Sequence, residues 1–318
     1  MGDHLVTCCI LLAAYQGERY LPAQLASISA QTESDFQVLY QDDGSSDRTP
    51  EILKEWSRKD PRFRAAAESG RHLGAAGNFI SLLRQADADR IVFCDQDDVW
   101  EPDKLSSLLQ ACREALPGPE AHSGEPPLLV HSDASVIDGE DRLLAPSFFA
   151  LQGWDPRAVQ LNRLLVQNNV TGCLLLLNRS LADLVVRFGH PGRMFMHDWF
   201  IALTAASFGK IVFVNRPLTR YRQHGENAIG ASRASLVRRG MQALKERQKA
   251  RARIALTYTH SEAFLEAFGD ALPPEARKTV KDYLSTRSMP KIRRVLSVRR
   301  QGCLMQSPIT RLGQFLFG

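Results

Sequence analysis

The chain lacks most of the signatures that would assign it quickly. Its six cysteines, at 8, 9, 94, 112, 173 and 303, form no Cys-x-x-Cys pair and show no metal-type spacing. Four of them (Cys8, Cys9, Cys94 and Cys173) lie in apolar, strand-like runs, where a reduced cysteine behaves as a small hydrophobe. That usage points to a reducing, cytosolic compartment. No stretch approaches the roughly 18 apolar residues that a spanning helix needs. The amino terminus has no basic n-region, and its apolar run from Cys8 to Ala14 is too short to export or span. Gly-x-x-x-x-Gly-Lys and Gly-x-Gly-x-x-Gly are both missing, so neither a P-loop nor a dinucleotide fingerprint is present. There is no internal repeat and no low-complexity block.

What is present is ordinary in bulk and uneven in detail. At 318 residues, 44% hydrophobic and 24% charged, the chain can form one large α/β domain with an appendage, or two modest domains. The net charge of +5 hides an asymmetry. Residues 231–318 carry 18 basic and 6 acidic side chains, giving +12, whereas residues 1–230 carry 22 and 29, giving −7. We therefore expect a main domain over 1–230 and a basic helical extension over 231–318. Such an extension suits an anionic membrane surface or packing on the acidic domain. No aromatic interleaving or binding motif accompanies the basic residues, so nucleic acid is not an expected partner.

The hydrophobic pattern alternates strand and helix. Strands are expected at Leu5–Ala13, Phe36–Tyr40, Phe63–Ala67 and Ile91–Cys94, with helices at Pro22–Gln31, Thr49–Arg58 and Gly74–Ala86 between them. Short loops joining β-α-β-α-β-α-β imply a mostly parallel sheet. A helix follows at Pro102–Ala115 and strands at Leu128–His131, Val170–Leu177 and Lys210–Val214, with a turn at Ile137–Asp141. Further helices are expected at Ser180–Phe188 and Asp198–Phe208.

The chemistry gathers at strand ends, where open α/β sheets bind ligands. After Ile91–Cys94 come Asp95-Gln96-Asp97-Asp98-Val99-Trp100, three carboxylates in four positions. Their mutual repulsion favours a hard cation bound through oxygen, and with it a phosphorylated substrate. The plainer reading is a solvated acidic turn. A third is an aspartyl-phosphate phosphatase, with Asp95 as nucleophile and Asp97 as acid. The first strand runs into Tyr15, on which a base can stack, with Glu18 beside it. The second runs into Asp42-Asp43-Gly44-Ser45-Ser46-Asp47, where Asp43 can accept from a nucleobase imide or a ribose hydroxyl. Three polar loops on one sheet edge are best explained together, as a nucleotide-diphosphate pocket.

In this order and spacing, Ala14-Tyr15-Gln16-Gly17, Asp42-Asp43-Gly44-Ser45, Asp95-Gln96-Asp97-Asp98-Val99-Trp100, Asn169-Val170-Thr171-Gly172, His197-Asp198-Trp199 and Tyr221-Arg222-Gln223-His224-Gly225 resemble a family 2 glycosyltransferase of the GT-A fold. Within it the resemblance is to bacterial rhamnosyltransferase-type members, and it covers about residues 4–230. It implies metal-dependent, inverting transfer of a sugar, rhamnose among the candidates, from a nucleotide-sugar to a hydroxyl of a glycan or lipid-linked acceptor in surface polysaccharide synthesis. Ala14, Tyr15, Glu18, Asp43, Asp95 and Asp97 would then meet the donor. Asp97 or Asp98, with His224, would hold Mg²⁺ or Mn²⁺. Asp198 matches the catalytic base, although it also suits a helix cap. Thr171 and Gly172 would contact the acceptor, together with Trp100 and Trp199, which flank two acidic motifs. Members often carry Asn-x-Gly before the third helix, where this chain has His72-Leu73-Gly74. A phosphatase motif should not follow three complete βα units, so that alternative ranks far behind but remains a rival, discriminated by phosphate release from a monoester without a sugar acceptor. A non-catalytic nucleotide-sugar-binding subunit would carry the same donor residues. The expected location is cytoplasmic, peripheral at the inner face of the plasma membrane.

Overall fold

The computed structural model describes residues 8–67, 72–116, 124–189, 196–224 and 241–317. In chain order the first half contains β1 (Cys8–Ala14), α1 (Leu21–Ser29), β2 (Gln37–Asp42), α2 (Thr49–Lys59), β3 (Phe63–Ala65), α3 (Gly74–Gln85), β4 (Arg90–Asp95), β5 (Val99–Trp100) and α4 (Lys104–Ala115). Then follow β6 (Leu128–Ile137), β7 (Leu143–Ala145), α5 (Phe148–Gln152), α6 (Leu161–Leu164), β8 (Leu175–Asn178), α7 (Arg179–Phe188), α8 (His197–Phe208) and β9 (Lys210–Arg222). Four helices close the chain: α9 (Met241–Phe268), α10 (Pro274–Ser285), α11 (Lys291–Arg300) and α12 (Pro308–Phe317).

The strands form one sheet in the order β3-β2-β1-β4-β8-β6-β9-β5, with β7 paired to β6. β3, β2, β1 and β4 are parallel neighbours, as short βα units dictate. β8 runs against both β4 and β6, while β6 and β9 are parallel to each other. Successive residues of β1 serve opposite faces. Cys9 and Leu11 pack with Phe79, Leu83, Leu181 and Phe200 from α3, α7 and α8. Cys8, Ile10 and Leu12 pack with Leu21, Leu25, Leu53, Leu105 and Leu109 from α1, α2 and α4. Both faces are therefore covered, which is why β1 and β4 read as unbroken apolar runs. All six cysteines are buried and free, packed as small hydrophobes.

β2 runs two residues past Tyr40 and β3 stops two short of Ala67, and three other expected strands differ more. β6 continues beyond His131 to Ile137, and β9 continues beyond Val214 to Arg222. Their pairing shifts register around Asp133, so the later halves carry Ser132, Asp133, Arg216 and Arg220 in no regular alternation. The expected turn at Ile137–Asp141 thus begins one residue later, once β6 has ended. The strand expected from Val170 instead opens with a tight helical turn at Gly172–Leu174 before β8. Leu5–Thr7, Gly225, Arg238 and Arg239 lie outside the described residues.

The basic extension packs through an apolar inner face. Phe264 and Phe268 of α9 meet the Phe200 ring of α8 at 5.6 and 5.7 Å, and Tyr258 stacks on Tyr283 of α10 at 4.8 Å. Among the described residues, no helix is long and apolar enough to cross a membrane.

One close contact fixes how α8 hands over to β9. At Gly209 an added Cβ would lie 1.8 Å from the Pro127 carbonyl oxygen, which accepts from the Lys210 N–H at 3.0 Å. A backbone atom cannot swing away, so Gly209→Ala should cost about 2 kcal/mol or more. Urea unfolding followed by circular dichroism checks this, and an unchanged midpoint would show that the β6–β9 start has room to spare.

Candidate active site

A cleft of about 840 Å³ opens where β1, β2 and β4 end. Ala14, Tyr15, Asp43, Asp95 and Asp97 line it from the strand ends, and Thr171, Gly172, Asp198 and Trp199 from the side of β8 and α8. The strand ends converge because neighbouring parallel strands keep register: Ala13 pairs with Asp95 and Ala14 with Asp42. Gln96 then locks two of the loops together. Its amide accepts from the Tyr15 N–H and donates to the Tyr15 carbonyl, both at 2.5 Å. Gly17 leaves space for this amide, since a Cβ there would sit 2.5 Å from Gln96 Oε1.

Asp43 is buried, and its carboxylate accepts from the Leu73 N–H at 2.5 Å and the Gly74 N–H at 2.8 Å. It therefore caps the start of α3. His72 Nδ1 lies 3.3 Å from its Oδ2 as well. His72 stands beside it, with Nδ1 3.1 Å from the Asp43 carbonyl oxygen and its ring 4.9 Å from that of Tyr15. The departure from Asn-x-Gly thus brings an imidazole to the cleft, a feature legible only as an exception in the sequence.

The acidic motif divides by depth. Asp97 faces His224, with 2.8 Å between Oδ2 and Nε2. Asp98 lies behind, 1% exposed, and accepts the Arg222 N–H at 3.0 Å. Burial, then the nearby Asp97 charge, pushes the Asp98 carboxyl up to about 7. Asp95 is raised well above the usual range by burial and by Asp97, Asp98 and Asp198. Asp95, Asp98 and Cys173 place ligand atoms within 4.8 Å of one another. The Cys173 thiol is pushed far up by burial and by those carboxylates, so it stays protonated. This donor set offers oxygen rather than thiolate and fits a hard cation such as Mg²⁺ or Mn²⁺. Asp98, however, commits Oδ1 to the Arg222 N–H from behind, whereas Asp97 lines the cleft with His224 against it, outside the lining.

Two cations hold this acidity in place. Lys104 is fully buried, donating to the Cys173 carbonyl at 2.7 Å with Nζ 3.9 Å from the Trp100 ring centre. Arg222, 1% exposed, donates to the carbonyls of Asp97 at 2.7 Å and Asp138 at 3.1 Å and pairs with Asp141 at 2.7 Å. Arg222 stands in a quoted motif, but neither cation was given a role from sequence, because chain position alone does not show which lysine or arginine is buried.

Asp198 is 8% exposed at the start of α8, and its Oδ1 accepts from the Trp199 N–H at 2.6 Å. Burial pushes its carboxyl up to about 7, with the backbone N–H groups of Trp199 and Gly172 opposing the rise. Such a group can take up a proton near neutral pH. Gly172 is needed for space as well, because a Cβ there would lie 2.8 Å from His197 Nε2. His197, a cleft residue that stands in a quoted motif but was given no role from sequence, packs between Phe79 at 4.4 Å and Phe93 at 5.5 Å, and burial lowers its pKa to about 3.

Two expected contacts are corrected. Trp100 is 3% exposed and belongs to the α1–α4 core, because the short β5 pairs with β9 and turns its ring away from the cleft. Glu18 also lies off the cleft: its carboxylate accepts the Arg48 N–H at 3.0 Å, and its own N–H donates to Asp47 at 3.0 Å. It braces the β1 and β2 loops.

The raised Asp198 gives a pH signature. From about pH 4 to about pH 7 the unfolded chain releases this proton while the folded chain keeps it, so folding stability falls as pH rises through that window. Moving from 3.8 to about 7 corresponds to roughly 4 kcal/mol at 1.36 per pKa unit. Asp198→Asn should therefore match the parent at pH 4 and gain stability at pH 8. Denaturant titrations at both values check it, and an equal difference at the two would show an ordinary carboxyl.

The profile described as "Glycosyl transferase family 2" matches residues 9–181. A dTDP-rhamnosyl transferase, RfbG, from Shigella flexneri is 26% identical over 230 residues, covering 70% of this chain and 74% of its own. From Escherichia coli, the UDP-Glc:alpha-D-GlcNAc-diphosphoundecaprenol beta-1,3-glucosyltransferase WfgD is 26% identical over 218 residues, covering 68% and 75%. Among solved structures, S. aureus TarS 1–349 in complex with UDP superposes with a TM-score of 0.54 at 13% identity, covering 93% of this chain and 88% of that one. That superposition concerns the fold, which is the GT-A arrangement. With more than half of its length matched by the family profile, the chain belongs to glycosyl transferase family 2.

Proposed function

We propose that this glycosyltransferase is a metal-dependent, inverting enzyme that moves a sugar from a nucleoside-diphosphate donor to a hydroxyl of a glycan or lipid-linked acceptor on the cytoplasmic side of the membrane. The observation that carries the reading is one cleft with Asp43, Asp95 and Asp97 on its strand-end wall and a proton-accepting Asp198 on the other. The identified relatives use dTDP-rhamnose-type and UDP-glucose-type chemistry by name, which makes rhamnose and glucose the first donors to test.

In this reading the nucleobase lies against Tyr15 and His72, with Asp43 accepting from it or from the ribose. Asp97 and His224 would hold the divalent cation, which supplies neutralisation of the charge on the leaving diphosphate. Asp198 takes the proton of the acceptor hydroxyl as its oxygen bonds to the anomeric carbon. The bond from that carbon to the diphosphate oxygen breaks on the opposite face, and the electron pair leaves with the nucleoside diphosphate. Development of oxocarbenium character at the anomeric carbon is favoured by the surrounding carboxylates. The apolar Val166, Met196 and Trp199 in the cleft wall limit competing water.

Two substitutions separate the roles. Asp97→Asn should keep the fold yet lose most Mn²⁺-dependent binding of a nucleoside diphosphate, measured by calorimetry; unchanged affinity would sink its assignment to the cation. Asp198→Asn should leave that binding intact and lower turnover by at least roughly 10²-fold. Turnover at the parent rate would return Asp198 to a helix-capping role.

A further inference from the structure

The helices α11 and α12 carry an apolar face that is exposed among the described residues. On α12, Ile309, Leu312 and Leu316 are 84%, 57% and 48% exposed. Their spacing of three and four places them on one side of the helix. The opposite side is committed to packing: Gln314 is buried between the Cys303 carbonyl and the Met305 N–H, and Gly313 lies close to Ala250 of α9. On α11, Ile292 and Leu296 are exposed at a spacing of four, at 77% and 61%. The two helices are tied by Lys291, whose ammonium donates to the Leu316 carbonyl at 2.8 Å. Five large aliphatic side chains in water are unusual for a surface that serves nothing.

The sequence of this stretch is basic. After Asp282 the chain holds seven basic residues (Arg287, Lys291, Arg293, Arg294, Arg299, Arg300 and Arg311) and no carboxylate side chain. Arg293, Arg299 and Arg300 are exposed beside the aliphatic residues of α11. Arg287 pairs with Glu262 at 2.7 Å, whereas exposed aliphatic residues with Arg293, Arg299 and Arg300 beside them match the boundary of an anionic bilayer, where acyl chains lie under phosphate groups. α12 also reaches the cleft: Thr310, next to Ile309, lines it with Met305 and with Arg253 and Leu256 of α9.

We propose that the outer faces of α11 and α12 form an interfacial docking surface for an anionic phospholipid bilayer. Docking there sets the α9–α12 rim of the cleft beside the membrane, so that the acceptor is a saccharide carried on a lipid; this last step rests on the transfer reading above, whereas the docking does not. The expected 231–318 membrane contact is thereby narrowed to the outer faces of two ten-residue helices, in which α9 serves as the support.

Sedimentation of the full chain with vesicles of phosphatidylglycerol and phosphatidylcholine, or of phosphatidylcholine alone, tests the proposal. The parent should pellet with the anionic vesicles at low salt, stay largely soluble with neutral ones, and be released by high salt. Each basic residue removed should weaken anionic-vesicle binding roughly fivefold; Arg293→Gln/Arg299→Gln/Arg300→Gln together should abolish pelleting. Ile309→Ser/Leu312→Ser should also lose it while keeping every charge. Both variants should keep the parent's melting temperature and its release of nucleoside diphosphate from donor in water, which reads the transfer site independently of the membrane. Failure of the parent to pellet, or variants that pellet as it does, would overturn the proposal. So would a parent that dimerises with concentration and becomes monomeric on Ile309→Ser/Leu312→Ser, since a second copy would then own the face.

Discussion

The buried Arg222 side chain is the constraint on which the cleft depends. Its guanidinium joins the acidic loop after β4 to the turn after β6, through the Asp97 and Asp138 carbonyls and the Asp141 carboxylate. Its own N–H donates to Asp98 Oδ1 at 3.0 Å. Tyr20 lies under the guanidinium at 4.6 Å and beside the His224 ring at 5.0 Å, so the end of β9, the α1 start and the acidic loop share one cluster. Removing one member of a buried, hydrogen-bonded charge set leaves the others uncompensated, which typically costs about 3–5 kcal/mol. The position of His224 opposite Asp97 follows from this anchoring, because only Gln223 separates it from Arg222.

Electrostatics explains the remaining arrangement. Asp95, Asp97, Asp98 and Asp198 crowd one end of the sheet, and burial raises Asp95, Asp98 and Asp198 together. Lys104 and Arg222 offset part of that cost from behind. What is left uncompensated faces the cleft, the place where a cation and a diphosphate would meet. A polar cluster maintained against its own repulsion is the usual mark of a functional site rather than of a stabilising one. Gln96 and Gly17 contribute in another way, through a paired amide contact that fixes the distance between the β1 and β4 loops.

The sequence made the first half of this fold legible for a physical reason. Parallel strands covered on both faces have to be apolar, and β1 and β4 stand out as such runs. β6 and β9 were cut short because their later halves shift register and carry charge, so no period of two survives to be read. The cleft lining was legible where polar groups directly follow a strand, as at Asp43, Asp95 and Asp97. It was not legible where the direction of a side chain decides. Trp100 follows the same motif as Asp97 yet turns into the core, and Glu18 adjoins Tyr15 yet braces a loop. His72 was visible only as a departure from a pattern, and the burial of Lys104 and Arg222 had no local signal at all.

The central claim is a single displacement at the anomeric carbon within this cleft. Its most direct test is proton NMR of the first sugar released when the protein, Mn²⁺ and a panel of dTDP-, UDP- and GDP-sugars react with water as a slow acceptor. The account predicts nucleoside diphosphate together with a sugar of inverted anomeric configuration, seen before mutarotation. Release of a sugar with retained configuration, or of nucleoside monophosphate and sugar phosphate, would contradict it.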